Sequence, residues 1–165
     1  MLAGEKSTFA IECEIRDEVD TFIYCNLRFW IAGNPIGDWN KVAVLGVVIH
    51  SAKIFMLYSG SRYLEFKKSM TADSLWFHID RFSKSDKPAE LQISLEGRYR
   101  QRFLLHEIAN DSVATEYEVI VVERLDDVQR LLWKSKSEND IHELNLPSVT
   151  VDTVIANFLH WAESR

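Results

Sequence analysis

Five histidines, two cysteines and 25 carboxylates are the groups with which this 165-residue chain could do chemistry. His50, His78, His106, His142 and His160 lie far apart, whereas metal sites want His, Cys or carboxylates at short, regular spacing. His106-Glu107 and His142-Glu143 lack the second histidine of a zinc-protease motif. No Gly-x-Ser-x-Gly elbow occurs, and Cys13 and Cys25 fall on the apolar side of strand-like runs, where a thiolate is disfavoured. Gly33 and Gly37 bracket a turn that could resemble an anion loop, but the Lys-Ser/Thr pair of a phosphate loop is missing and Asp38 would repel phosphate. Gly33 and Gly37 are therefore read as turn residues, and Asp38 as the N-cap of a helix that follows.

The carboxylates are the remaining candidates. Glu12 and Glu14 share the polar face of one strand, and Asp17, Glu18 and Asp20 crowd the turn beside it. Acid–base catalysis needs neighbouring carboxyls pushed to different pKa values by unlike surroundings, and a solvated strand face supplies no such push. Glu12, Glu14, Asp17, Glu18 and Asp20 therefore read as solvated surface or as a partner-binding patch. No enzyme, metal or cofactor is expected.

The elements that hold these residues follow from hydrophobic periodicity. Phe9, Ile11, Cys13 and Ile15 alternate with polar residues, as do Cys25, Leu27, Phe29 and Ile31 in the next run. A hairpin pairing position 13 with position 25 keeps both sets on one face, so the cysteines become reduced core neighbours. The reverse face carries Phe22, Tyr24 and Trp30 beside Arg28, and is either covered by another layer or left as an interaction surface. The Gly33–Asp38 segment ends the second strand. Val42 to Leu57 reads as a deeply buried helix ended by Gly60, although its β-branched density also suits a strand.

Leu75–Phe82, Glu90–Glu96, Arg98–Ile108 and Glu116–Glu123 read as strands, with a polar turn over 83–88. Asp126 and Asp127 open a helix striped by Leu125, Val128, Leu131 and Leu132, and Lys134–Asp140 is a charged connector. Pro147 and Ser148 precede a last helix with Val151, Ile155, Phe158, Leu159 and Ala162 on one side. The expectation is one α+β domain over residues 1–165: an antiparallel sheet of about six strands packed by about three helices.

Bulk properties narrow the function. Hydrophobic residues at 47% and charged residues at 27% are ordinary for a globular protein. A net charge of −6, from 25 acidic against 19 basic residues, argues against nucleic acid as a partner and suits a basic one. The N-terminus does not read as a secretory signal. The Val42–Leu57 run is interrupted by His50, Ser51 and Lys53 and is shorter than the roughly 20 apolar residues a membrane span needs.

The segment Phe29-Trp30-Ile31-Ala32-Gly33-Asn34-Pro35-Ile36-Gly37-Asp38, preceded by Gly4-Glu5-Lys6-Ser7-Thr8-Phe9-Ala10-Ile11-Glu12, resembles the Immunity protein 42 family of bacterial polymorphic-toxin systems. The resemblance covers about the first third of the chain. It implies a cytoplasmic protein that binds and blocks a cognate toxin domain by occlusion, without membrane or nucleic acid, as a monomer or weak dimer. It supplies no toxin-contacting residues. An acidic secretion chaperone or adaptor is the alternative; it would be a dimer with an apolar groove. An enzyme assembled from scattered residues is the third reading, and would require a pocket with convergent titratable groups.

Overall fold

A computed structural model describes residues 1–63, 70–81, 101–109, 111–123 and 126–165. Its strands are β1 (Leu2–Gly4), β2 (Phe9–Val19), β3 (Phe22–Ile31), β4 (Asn34–Ile36), β5 (Val42–Val44), β6 (Tyr117–Glu123), β7 (Val128–Ser135) and β8 (His142–Pro147). The helices are α1 (Leu45–Met56), α2 (Ala72–Arg81) and α3 (Thr150–Ala162), with a 3-10 turn at Leu105–Ala109. The α+β class with antiparallel sheets is as expected, but the strands divide between two sheets. The first has five strands in the order β1-β2-β3-β4, with β5 also on β3, and the second is β6-β7-β8.

β2 and β3 form the long hairpin, in a register that places Cys13 opposite Leu27 and Ile15 opposite Cys25. The expected 13-to-25 pairing is thus shifted by one pair, while the odd-numbered apolar residues still share the inner face. Cys13 and Cys25 are buried and free. Contact with the Cys25 sulfur, together with burial, pushes the Cys13 thiol up, while the same contact holds Cys25 down. A bulge at Arg16 then resets the alternation, so that Asp17 faces Tyr24 and Val19 faces Phe22. Asp20 turns the hairpin at φ 55°, a left-handed conformation that Asp tolerates.

Ala32 and Gly33 both have positive φ and close a second tight hairpin, Ile31 opposite Asn34, so the Gly33–Asp38 segment contains β4 rather than only a strand end. Gly37 has φ 112°, and a Cβ there would lie 2.8 Å from the Val113 side chain. Both observations require glycine.

The Val42–Leu57 run is strand first and helix second: Val42–Val44 pairs with β3, and α1 starts at Leu45. Leu45, Val48, Ala52 and Phe55 face the core, but Val47 is 57% exposed, so the helix is amphipathic rather than enclosed. Asp38 does not cap it. Val44 precedes its first residue and offers no side-chain cap, while the Asp38 carboxylate accepts the Asn40 N–H at 2.9 Å in a local turn. Gly60, at φ 73°, sits in the turns that follow the helix rather than at its C-cap, Leu57.

Three further expectations change. Leu75–Phe82 is largely α2: Thr71 Oγ1 accepts the Ser74 N–H at 3.2 Å as an N-cap, and Leu75, Trp76 and Ile79 form its buried face. Of Arg98–Ile108, the described part from residue 101 is helical at Gln101, then a turn, one bridge at Leu104 and the 3-10 helix. The helix expected from Asp126 is strand β7 after a turn in which Asp127 is left-handed. Glu90–Glu96 and the 83–88 turn lie outside the described residues. β6 and α3 form as expected, and β8 occupies a stretch where no element was expected.

One core cluster draws on both sheets and two helices, from Phe9, Leu27 and Phe29 through Phe55 and Phe158 to Val121 and Leu131. On the other face of the second sheet, Ile120, Val122 and Leu132 pack with Leu75, Trp76 and Phe103. β7 is buried on both sides, which explains why its sequence lacks alternation.

Candidate functional site

The first sheet turns one face to α1 and α3, and the hairpin end of its other face to solvent. Cross-strand register arranges this outer face in rows: Val19 with Phe22; Asp17, Tyr24 and Val44; Glu14, Asn26 and Val42; Leu2, Glu12 and Arg28; and Trp30 with Pro35. Phe22 is 54% exposed, and Val19, Val42 and Leu2 are 45–47% exposed. Two readings were open for this face, a covering layer or an exposed surface: the hairpin end around Phe22 is exposed, whereas further along Asn26 and Ala10 are buried and Tyr24, Arg28 and Trp30 are half-buried.

The five carboxylates expected to meet a partner are not equivalent. Glu12 is engaged within its own face: its carboxylate accepts from Lys6 Nζ at 3.2 Å, Arg28 Nε at 2.8 Å and Trp30 Nε1 at 2.8 Å. Burial pushes its carboxyl up, but the hydrogen bonds from Trp30, Arg28 and Lys6 outweigh it and hold the group below its ordinary value. Around it the Lys6 ammonium lies 4.1 Å from the Trp30 ring centre, and the Arg28 guanidinium stacks between Trp30 at 4.8 Å and Trp39 at 4.5 Å. Asn26, fully buried, donates to the carbonyls of Trp39 and Lys41 and so fixes the loop that carries Trp39.

Glu14, Asp17, Glu18 and Asp20 are exposed at the other end of the same hairpin. The bulge divides them. Asp17 joins Glu14 on the outer face, while Glu18, opposite Ile23, falls on the reverse side and donates its backbone N–H to Asp17 Oδ1 at 2.9 Å. Gly33, Gly37 and Asp38 lie in the connections at the sheet edge, where Asp38 N–H donates to the Ser112 carbonyl at 2.8 Å.

A second polar group was not foreseen. Arg62 is fully buried, donates to the Phe55 carbonyl at 3.0 Å and pairs with Asp152, whose other oxygen accepts from Gln129 Nε2 at 2.8 Å. Gln129 Oε1 in turn accepts the Val151 N–H at 2.9 Å. The group ties the end of α1 to β7 and to the first turn of α3. Its sequence signal was weak, because an isolated Arg, Gln and Asp reveal no pairing until the topology joins them.

No group of three or more potential metal ligands gathers among the described residues. His106 is buried with Nδ1 3.0 Å from the Val119 nitrogen, and His142 stacks on Trp133 at 5.4 Å. A groove of about 420 Å3 between the β1–β2 turn and the start of α3 has Glu5 as its one ionisable lining residue. Another of about 490 Å3 beside α2 holds Asp73 and Asp80 with Lys134, whose ammonium lies over Trp76. The outer face of the first sheet brings exposed apolar and charged side chains together at its hairpin end, an arrangement suited to holding a macromolecule.

No curated protein sequence matches the chain. Its fold is similar to that of the crystal structure of CdiI from Burkholderia dolosa, with a TM-score of 0.69 over 97% of this chain and 99% of that one, at 16% identity. The model of the family described as Immunity protein 42 matches residues 1–161, nearly the whole length and far beyond the N-terminal third that carries the sequence resemblance. This chain belongs to the Immunity protein 42 family.

Proposed function

We propose that this protein is a cytoplasmic immunity protein that binds a cognate bacterial toxin domain and blocks it by occlusion, acting by binding rather than by catalysis. The observation that carries the reading is the family match over residues 1–161. Its fold likeness to a CdiI protein is in keeping with it. Occlusion asks only for a stable surface complementary to the toxin. An exposed strand face rimmed by carboxylates supplies such a surface.

Within the expected contact set, Glu14 and Asp17 on the outer face and Asp20 at the hairpin tip are presented to the partner, Glu18 adds its charge from the reverse side of the tip, and Glu12 holds Lys6, Arg28 and Trp30 in place. The acidic hairpin steers a basic toxin surface toward the sheet and raises the association rate. No cofactor, nucleic acid or membrane takes part, and the working form is a monomer or a weak dimer. The test is co-expression with the toxin domain encoded beside this gene, followed by purification of the pair. Growth rescue and a stable complex are expected; a toxin that still kills, with no complex formed, would refute the reading.

A further inference from the structure

The exposed sheet face has an internal composition that says more about its occupant. Its hairpin end is apolar at the centre: Val19 and Phe22 are cross-strand partners, and the Tyr24–Val44 pair follows in the next row, with Val42 beside it. Phe22 at 54%, Val19 at 47% and Val42 at 47% leave a continuous apolar strip in water, a feature that single scattered surface residues do not produce. Glu14 and Asp17 lie within the strip, Asp20 closes the hairpin tip, and Arg16 is the one cation between them.

The other end of the face is fixed in advance. Lys6, Arg28, Trp30 and Trp39 are interleaved, with Glu12 at their centre. These side chains lose little further freedom when a surface settles on them, and pre-ordering of this kind favours tight association.

We propose that this outer face, centred on Phe22 and Tyr24 with Val19, Val42 and Val44, is the surface that docks the toxin domain, and that the toxin meets it with an apolar patch rimmed by Lys or Arg. The proposal rests on the immunity reading above and names its contact surface. Charge complementarity chooses the occupant. A second copy of this chain laid face to face about a two-fold axis through this apolar strip would bring Glu14, Asp17 and Asp20 against the same carboxylates, and like charges across an interface are costly. A partner with basic residues around an apolar centre satisfies both parts of the strip. The edge of β2 is not the docking element, because the bulge at Arg16 and the charges of Glu14, Arg16, Asp17 and Glu18 oppose addition of another strand.

The experiment measures affinity for the toxin domain encoded beside this gene, using wild type, Phe22→Ala, Tyr24→Ala, Phe22→Asp and the distant exposed control Val47→Ser on α1. Circular dichroism and thermal unfolding verify that each variant is folded. The outer-face alanine variants are expected to weaken binding about tenfold or more, Phe22→Asp further, and Val47→Ser less than about threefold. Amide exchange of the wild-type complex supplies a readout independent of any variant, with protection expected over residues 14–24 and 42–44. If wild type binds while the face variants bind equally well and protection falls elsewhere, the surface is wrong and the immunity reading stands. Absence of any wild-type complex overturns the immunity reading and this surface together. A dimer of the protein alone that Phe22→Asp dissociates would assign the face to a second copy and also overturn the proposal.

Discussion

Asp152 and Glu12 show how the same carboxylate chemistry gives different roles at different depths. Asp152 is buried with Arg62 and Gln129, so its charge is compensated only while all three stay in place. Asp152→Ala leaves the Arg62 guanidinium buried without its closer counter-charge and is expected to cost about 3–5 kcal/mol, measured by urea unfolding. A loss of less than about 1 kcal/mol would show that Glu123, whose carboxylate lies 3.4 Å from Arg62 Nε, takes over the charge. Glu12 is partly exposed and its carboxyl is held below the ordinary value of 4.5. A depressed carboxyl stabilises the fold above its unfolded pKa, and that stability is lost as pH falls through the folded value. Glu12→Gln is therefore expected to be less stable than wild type at neutral pH. The gap should close as the pH drops below about 4.5 toward the depressed value, and a gap constant down to pH 3 would mean that the carboxylate charge contributes nothing.

At the scale of elements, the β2–β3 hairpin was legible because one face is core and the other solvent, so alternation survives in the sequence. β7 was not legible. Its residues Gln129, Leu131 and Trp133 face one side and Arg130 and Leu132 the other, both buried, and the apolar residues Val128, Leu131 and Leu132 fall at helical spacing. α2 erred in the opposite direction: Leu75, Phe77 and Ile79 alternate like a strand, while the signals for helix were the Thr71 cap and the adjacent buried pair Leu75-Trp76. The candidate carboxylates were found by composition, but the bulge at Arg16 that sorts Asp17 from Glu18 leaves no mark in the pattern, because an inserted residue is visible only in the pairing register. The hairpin also yields a kinetic expectation. Reversing Asp17, Glu18 and Asp20 to Lys should slow association with a basic toxin domain and flatten its dependence on ionic strength, while the fold persists. Stopped-flow association across a salt series measures this. Superimposable curves would reduce the turn to a solvated loop.

At the scale of the molecule, the question is whether the two sheets are one folding unit. The sequence suggested a single domain with one sheet, since nothing in the strand pattern marks where one sheet stops and another starts. The core joins them: Phe9, Leu27 and Phe29 of the first sheet share a cluster with Val119, Val121 and Leu131 of the second, through Phe55 of α1 and Phe158 of α3. The Arg62–Asp152–Gln129 group crosses the same junction, from the end of α1 to the start of α3 and to β7. Neither sheet keeps this cluster closed without the other, because residues of both sheets and of α1 and α3 belong to it. We therefore expect one cooperative transition. Trp30 and Trp39 report on the first sheet, and Trp133 on the second, so Trp→Phe variants can leave a reporter on one sheet at a time. Fluorescence from each reporter and far-ultraviolet circular dichroism should give coincident urea midpoints. A sheet that detached alone would expose its side of the shared cluster while regaining only its own chain entropy, so the intermediate should be unpopulated. Two separated midpoints, the Trp133 reporter melting apart from the Trp30 reporter, would show instead that the sheets are independent units, and the proposed docking face on the first sheet would then be tested for binding without the second.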